Sequence, residues 1–477
     1  MKNRLIVLGL MFFHLFLLVN SQFTVWPEML LYPYFLNSGL KLYQDIINPY
    51  PLLLSFLLLF WFRLTGFSLL SLKILTWSVI ILIDILIFSI VKKKLKNQKF
   101  ATFSLFAFII LQTIYGGNQP WFDLFSVPFL LLYFYFLLEF IYNQKGKWAF
   151  SSGLFFALSF FIKQTALWLL TPFLIISLSQ KKEIFKKFLT FFLPTFLFFG
   201  FFIFYHHLQK NLINFWFWAF KYPFTILPNM PGHRLFPTAK QTFLYLSPLF
   251  ILIIFTLLNI KTNIINTSSQ HKKIFSLSLA FSLVSLLFCF PRWDIFHLQP
   301  AVAFSSLLVA QPILIFRKIS QKKPIFKIIS FLLLFTLFLN ITVITYKNII
   351  LKWRKNERFY NQDILEIAAW IKANTQPSDR IFVFNSEENI YFLAQKLPPT
   401  PWAINFPWYF EVHGLQEKVI QGLKMQKPKY VIYQPFLSGA KYQIGSYQPA
   451  HLAQYIFSNY KKTKEFEIAH IFKRNED

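Results

Sequence analysis

Apolar runs of 16 to 20 residues follow one another from the N-terminus to about residue 346. As a helix, such a run reaches across the roughly 30 Å hydrocarbon core of a bilayer. One globule has no interior large enough for so many of them. The composition agrees: of 477 residues, 56% are hydrophobic, 14% are charged and Phe fills 65 positions. A soluble domain carries about 25% charged residues. Soluble enzymes, fibrous proteins and disordered chains are therefore excluded. The chain reads as a polytopic α-helical membrane protein.

Spans are expected at about 5–20, 70–91, 101–115, 124–142, 147–162, 166–179, 187–206, 242–260, 274–290, 300–316 and 327–346. The segment 50–66, YPLLLSFLLLFWFRLTG, fits either a span or a helix lying in the interface. Cations collect on the cytoplasmic side of membrane proteins, and the chain carries 48 basic against 19 acidic residues. With 50–66 interfacial, 21 cations fall on one side and eight on the other. Counting it as a span would divide the first two basic clusters between the two sides. The expectation is eleven spans in a membrane module, residues 1–350, with the N-terminus cytoplasmic and a first outer loop at 21–69. Residues 1–21 also have signal-peptide features, Lys2 and Arg4 before an apolar core and Val19-Asn20-Ser21 after it. Cleavage there would leave every later orientation unchanged.

Beyond residue 350 the apolar runs give way to mixed patterns. Residues 364–371 have helical spacing, 380–384 and 430–433 read as strands, and 452–460 as helix. About 125 residues suffice for a small α/β domain, expected to lie outside the cytoplasm at 351–477. Cys289 is the only cysteine, so neither a disulfide within the chain nor a cysteine-based zinc site is available.

Carboxylates are costly near hydrocarbon, and the first 351 residues hold seven. Glu28, Asp45, Asp123 and Asp294 fall in outer-face loops under this topology. Glu139 and Glu183 lie at the cytoplasmic side. Asp84 is inside a span and calls for a partner or water. Lys163 and Gln164 end a span in the same outer layer, and Arg292, Asp294 and His297 share one short connector, PRWDIFHLQP. The bland reading makes the four outer acids residues of wet loops and the cations interfacial anchors. A minimal connector, however, needs no Arg, Asp and His within six residues. Trp26, Trp121, Trp293, Trp402 and Trp408 are expected as interface anchors, and 214–240 as an interfacial segment with His233 and Arg234 near headgroups.

The first outer loop presents Glu28, a short amphipathic stretch, a Ser38-Gly39 turn, Tyr43-Gln44-Asp45, then Pro49 and Pro51 before the interfacial helix. In this order it resembles the polyprenyl-phosphate-dependent membrane glycosyltransferases of the GT-C fold, among them protein O-mannosyltransferases and aminoarabinose transferases. The similarity extends to GGNQPWFD, FIKQTALW and RWDIFHLQPA. It also takes in the tail segments EIAAWIKANTQPSDRIFVFNSEENIYFLAQKLPPT and LKMQKPKYVIYQP. The chain departs from many relatives at its first acid: they carry Asp-Glu or Asp-x-Asp, whereas Glu28 stands alone after Trp26-Pro27.

The resemblance implies transfer of a sugar from a polyprenyl-phosphate donor to a hydroxyl of a lipid, glycan or protein acceptor at the outer face. Glu28 is then the first candidate for the base, with Asp45 second or as its partner. Lys163, Arg292 and His297 would hold the donor phosphate. Asp123, Gln164 and Asp294 would bind sugar or acceptor, or orient those cations. No nucleic acid is implied, and no metal cofactor is required, with a divalent ion left open. A transporter or flippase for a lipid-linked sugar is the competing class, though neither matching halves nor midplane charges support it. A third class is a structural protein whose outer domain binds a partner.

Overall fold

A computed structural model describes residues 2–179, 184–262, 269–309, 312 and 324–475. The expected span 300–316 and several expected cytoplasmic lysines therefore lie partly outside the described residues. Among those described, six helices are long and apolar enough to cross a membrane: Leu69–Leu95, Phe122–Asn143, Phe185–Leu208, Ala239–Leu258, His271–Cys289 and Ile328–Lys352. Shorter apolar helices accompany them, including Leu53–Thr65. At 1.5 Å per residue those thirteen residues reach about 20 Å, less than the bilayer core.

The helices used below are α1 (Lys2–Asn20), α2 (Pro27–Asn37), α3 (Leu53–Thr65), α4 (Leu69–Leu95), α5 (Gln98–Ile114), α6 (Phe122–Asn143) and α7 (Gly146–Ile162). The chain divides into two compact units. One comprises Met1–Gln22, Lys73–Phe202 and Phe236–Lys355; the other Phe23–Leu72, Ile203–Leu235 and Asn356–Asp477.

The first unit is a helical bundle. Lipid tails are as apolar as leucine, so helices associate there through close packing and hydrogen bonds rather than through expulsion of water. α6 and α7 form a hairpin whose turn places Gln144 in the left-handed region, φ 52°. The hairpin is sealed by a near-parallel Phe136–Phe155 stack with centroids 5.4 Å apart. Gly153 on α7 admits the neighbouring helix Ile184–Leu208 so closely that a Cβ there would lie 1.8 Å from the Phe191 carbonyl oxygen. Phe191 in turn stacks on Phe173 at 3.7 Å.

The second unit contains a four-stranded sheet, ordered β1-β2-β4-β3, from Ile381–Phe384, Tyr430–Tyr433, Tyr460–Glu465 and His470–Arg474. β1 and β2 are parallel, while β4 is antiparallel to both of its neighbours. The β1 register begins with Ile381 opposite Tyr430. β1 is buried along its whole length, the pattern of a strand covered on both faces. The first-loop residues pack within this same unit: Phe35 of α2 meets Trp402 edge-on at 5.1 Å, and Ile47 N–H donates to the Trp402 carbonyl at 2.9 Å.

Four of the five tryptophans expected at an interface are instead interior. Trp121, Trp293, Trp402 and Trp408 are all buried. Ring contacts account for this: Trp121 lies 5.4 Å from Phe296, and Trp408 stacks on Phe406 at 4.5 Å. In a chain so rich in phenylalanine, protein rings compete with the headgroup layer for these indoles. The segment expected as interfacial over 214–240 is a broken helix, turning from Leu212–Trp216 into wide-turn helix over Phe217–Ile226, with Pro223 inside it. Arg234 closes the loop after it by donating to the Pro228 carbonyl at 2.6 Å and Asn229 Oδ1 at 2.7 Å.

Candidate active site

In the first unit, three residues from distant parts of the chain meet. Asp123 stands in the first turn of α6, where the helix N-terminus favours a carboxylate. Lys163 is the residue at which α7 ends, its extended backbone (φ −150°) breaking the helix before the tight turn Gln164–Leu169. His297 lies in the single turn Ile295–Leu298, capped by Asp294, whose Oδ1 accepts the Ile295 N–H at 2.6 Å. Asp123 Oδ2 accepts from Lys163 Nζ at 2.6 Å and from His297 Nδ1 at 2.6 Å. Lys163 Nζ is also 3.1 Å from the same histidine nitrogen. Asp123 is wholly buried and Lys163 is 5% exposed. Asp123 Oδ1 has no hydrogen-bond partner among the described residues. A charge buried this deeply is tolerated only when paired. Burial, and next the Lys163 ammonium, hold His297 below the ordinary histidine range.

Gln164 is buried beside Lys163, and Arg292 and Asp294 are half-buried in the connector that carries His297. The structure thus brings Asp123, Lys163 and His297 together, with Gln164, Arg292 and Asp294 adjacent to them in sequence. Among the described residues, no group of three His, Cys, Asp or Glu is arranged to hold a metal ion.

The second unit holds the two first-loop acids. Pro27 starts α2 with its φ already helical, which sets Glu28 in the first turn. Glu28 is 4% exposed, and its Oε2 has no hydrogen-bond partner among the described residues. Burial pushes its carboxyl up to about 8, and the charge of Glu388 adds to this. The phenols of Tyr32 and Tyr409 are its other electrostatic neighbours. Asp45 is differently employed. Its Oδ2 accepts the Lys41 N–H at 2.8 Å and its carbonyl accepts the Trp402 N–H at 2.8 Å, closing a turn of its own. No hydrogen bond or ion pair joins Asp45 to Glu28 among the described residues.

Glu387 and Glu388 are not among the residues that sequence reasoning singles out. They sit after β1 in a segment that runs beside α2. Asn389 Nδ2 donates to the Val25 carbonyl at 2.9 Å and to the Phe359 carbonyl at 2.8 Å, and Tyr391 meets Phe35 at 5.8 Å. Glu388 Oε1 accepts the Asn405 N–H at 3.3 Å. Burial raises Glu388 to about 7 and, with the Glu388 charge, Glu387 to about 8, against the pull of Arg358. Two adjacent acids separated from a fully apolar strand only by Asn385 and Ser386 are the signal that could have marked them.

These arrangements gain meaning beside known proteins. A family profile described as dolichyl-phosphate-mannose-protein mannosyltransferase matches residues 49–208. No curated protein matches the chain in sequence. Among solved structures, ArnT from Cupriavidus metallidurans bound to undecaprenyl phosphate is similar with a TM-score of 0.60 and 9% identity, covering 98% of this chain and 97% of that one. The oligosaccharyltransferase of Archaeoglobus fulgidus, tethered to an acceptor peptide, gives 0.55 and 9% over 98% and 74% of the two chains. The mycobacterial arabinofuranosyltransferase AftD gives 0.53 and 11% over 99% and 40%. The chain has the helical membrane fold of this GT-C group.

Proposed function

We propose that the protein is an integral-membrane glycosyltransferase that moves a sugar from a polyprenyl-phosphate donor to an acceptor hydroxyl on the outer face of the membrane. The observation that carries this reading is the buried meeting of Asp123, Lys163 and His297 in a chain of the GT-C fold. In this reading residues 1–350 form the catalytic membrane module and 351–477 its extracytoplasmic domain, with the N-terminus cytoplasmic.

The reaction breaks the bond between the anomeric carbon and the phosphate oxygen and forms one to the acceptor oxygen. Negative charge develops on the departing phosphate. Lys163 and Arg292 stabilise it, because fixed cations in a dry site act without reorganising. Asp123 holds the Lys163 ammonium in place, with His297 donating to the same carboxyl oxygen, and Asp123 Oδ1, which has no hydrogen-bond partner among the described residues, is left to accept from a sugar hydroxyl. Gln164 and Asp294 are assigned to sugar or acceptor. The acceptor hydroxyl gives its proton to Glu28. A carboxylate raised to about 8 is a stronger base than an ordinary one, and a base tuned near the working pH is the most effective. Asp45, committed to its own turn, orients the first loop rather than taking the proton. The similar structures do not favour the transporter reading.

The test is to incubate purified protein in lipid with a panel of radiolabelled polyprenyl-phosphate sugars. Release of free polyprenyl phosphate dependent on Lys163 and Arg292 is expected. Arg292→Lys should be impaired, since an ammonium lacks the planar fork that grips phosphate, and Arg292→Ala more so. Vectorial movement of intact donor without bond cleavage would replace this reading with a transporter.

A further inference from the structure

A second buried polar network lies in the first unit, away from every residue assigned above. His14 of α1 and Asp84 of α4 are both wholly buried, with His14 Nδ1 2.8 Å from Asp84 Oδ2. On the other side of the ring, His14 Nε2 is 2.9 Å from Gln112 Oε1 of α5. Gln112 Nε2 in turn donates to the Gly117 carbonyl at 3.3 Å. Ionisable residues inside apolar helices are costly, and by default they serve a purpose beyond packing.

The donor and acceptor inventory fixes how this chain of contacts closes. The Gly117 carbonyl can only accept, so the Gln112 amide nitrogen faces it and the amide oxygen faces His14. That oxygen can only accept, so His14 Nε2 donates. The hydrogen shared by His14 Nδ1 and Asp84 Oδ2 closes the chain, whether the ring or the carboxyl carries it.

Gln112 grips a turn that is clamped throughout. The Ile114 carbonyl accepts from Asn348 Nδ2 at 2.7 Å, and the Tyr115 carbonyl from Gln299 Nε2 at 2.8 Å. Asn118 Nδ2 donates to the Leu18 and Ser21 carbonyls, at 2.5 Å and 2.9 Å, while its Oδ1 accepts from Trp77 Nε1 at 3.0 Å. Gly117 leaves room for the Gln112 amide, since a Cβ there would lie 2.2 Å from Gln112 Oε1. Five residues after Asn118 the chain reaches Asp123, the acceptor for Lys163 and His297.

We propose that His14 and Asp84 are positioning residues for the phosphate grip: through Gln112 they lock the turn at Gly117 that sets Asp123 against Lys163. The proposal rests on the function proposed above. Asp84→Leu removes the partner of His14 Nδ1, so the ring is free to turn its Nε2 off Gln112, and the Gly117 carbonyl loses the amide set against it. Gly117→Ala reaches the same end from the other side, by pushing Gln112 away.

The experiment pairs two readouts on purified protein in nanodiscs. In ¹⁵N-histidine NMR spectra, with His14 assigned by its loss in His14→Phe, the His14 Nε2 should show a protonated-type shift in wild type. Binding of undecaprenyl phosphate should weaken about tenfold or more in both Asp84→Leu and Gly117→Ala, as for a small misplacement of a binding group. Lys163→Ala serves as the reference for phosphate binding. An unprotonated His14 Nε2 in wild type would overturn the network. Normal binding in both clamp variants, with weak binding in Lys163→Ala, would overturn the positioning role and leave the functional reading intact. Normal binding in all three would remove the phosphate reading and the positioning role with it. Should Asp84→Leu not fold, Gly117→Ala decides the binding arm alone.

Discussion

The Lys163 ammonium lies 2.6 Å from Asp123 Oδ2, with both side chains closed off from solvent. A pair in this setting contributes little net stability while intact, because desolvation offsets the attraction. Breaking it is a different matter. Asp123→Asn should destabilise the protein by about 3–5 kcal/mol, since it strands a buried ammonium. The double variant Asp123→Leu, Lys163→Met should recover most of that loss while failing to bind polyprenyl phosphate. Thermal unfolding in detergent measures both, and equal midpoints for the single and double variants would show that the charges are not coupled.

Glu28 makes a prediction with a definite sign. Its carboxyl is raised from 4.5 to about 8 by burial, so the folded protein binds its proton more tightly than the unfolded chain. Stability from this group is full below pH 4.5, is lost as pH rises toward 8, and is flat beyond. Glu28→Gln should remove that slope and be more stable than wild type above about pH 8, where the buried carboxyl ionises. Turnover should run the opposite way, rising with pH toward 8 as the base ionises. Glu28→Gln should lower it by roughly 10²-fold or more. Full turnover in that variant, with loss in Asp45→Asn, would transfer the role of base to Asp45.

Gly153 tests the packing of the bundle. Alanine there would have to displace the backbone at Phe191, and overpacking of this kind costs about 1–3 kcal/mol. Gly200, on the helix Ile184–Leu208, provides the matched control, since a Cβ there would meet nothing within 4 Å among the described residues. Thermal midpoints should fall for Gly153→Ala and hold or rise for Gly200→Ala. Equal midpoints would refute the close approach.

The excess of cations on one side predicts topology. A reporter active only in the cytoplasm should work when fused after Lys94 and be silent after Asn118 or Asp477. Activity at Asp477 would put the C-terminal residues on the wrong side for the proposed reaction.

Much of this architecture is written locally in the chain. Apolar length marks the long helices, and the strand patterns at 380–384 and 430–433 correspond to β1 and β2. β3 and β4 are not legible because YKKTKE and HIFKR are too charged to show an apolar alternation. Asp123, Lys163 and His297 can each be picked out as a costly charge near hydrocarbon. Their convergence cannot, since Asp123 is separated from the other two by 40 and 174 positions. Asp84 advertises its need for a partner, but a histidine in the first apolar run does not announce that it is the one. Glu388 is hidden for another reason: in a soluble-type segment an acidic pair is unremarkable until its burial is known.

The clamp around Gly117 also bears on how the protein is made. Its acceptor groups emerge with α5, yet the donors that satisfy them come from Gln299 and Asn348. Once α5 is made, the carbonyl of Tyr115 therefore waits 184 residues of further synthesis for its donor and that of Ile114 waits 234. Water, or an insertion factor offering polar groups inside the membrane, must serve them until then. Chains arrested before residue 348 should be the ones that such a factor retains and that quality-control proteases recognise.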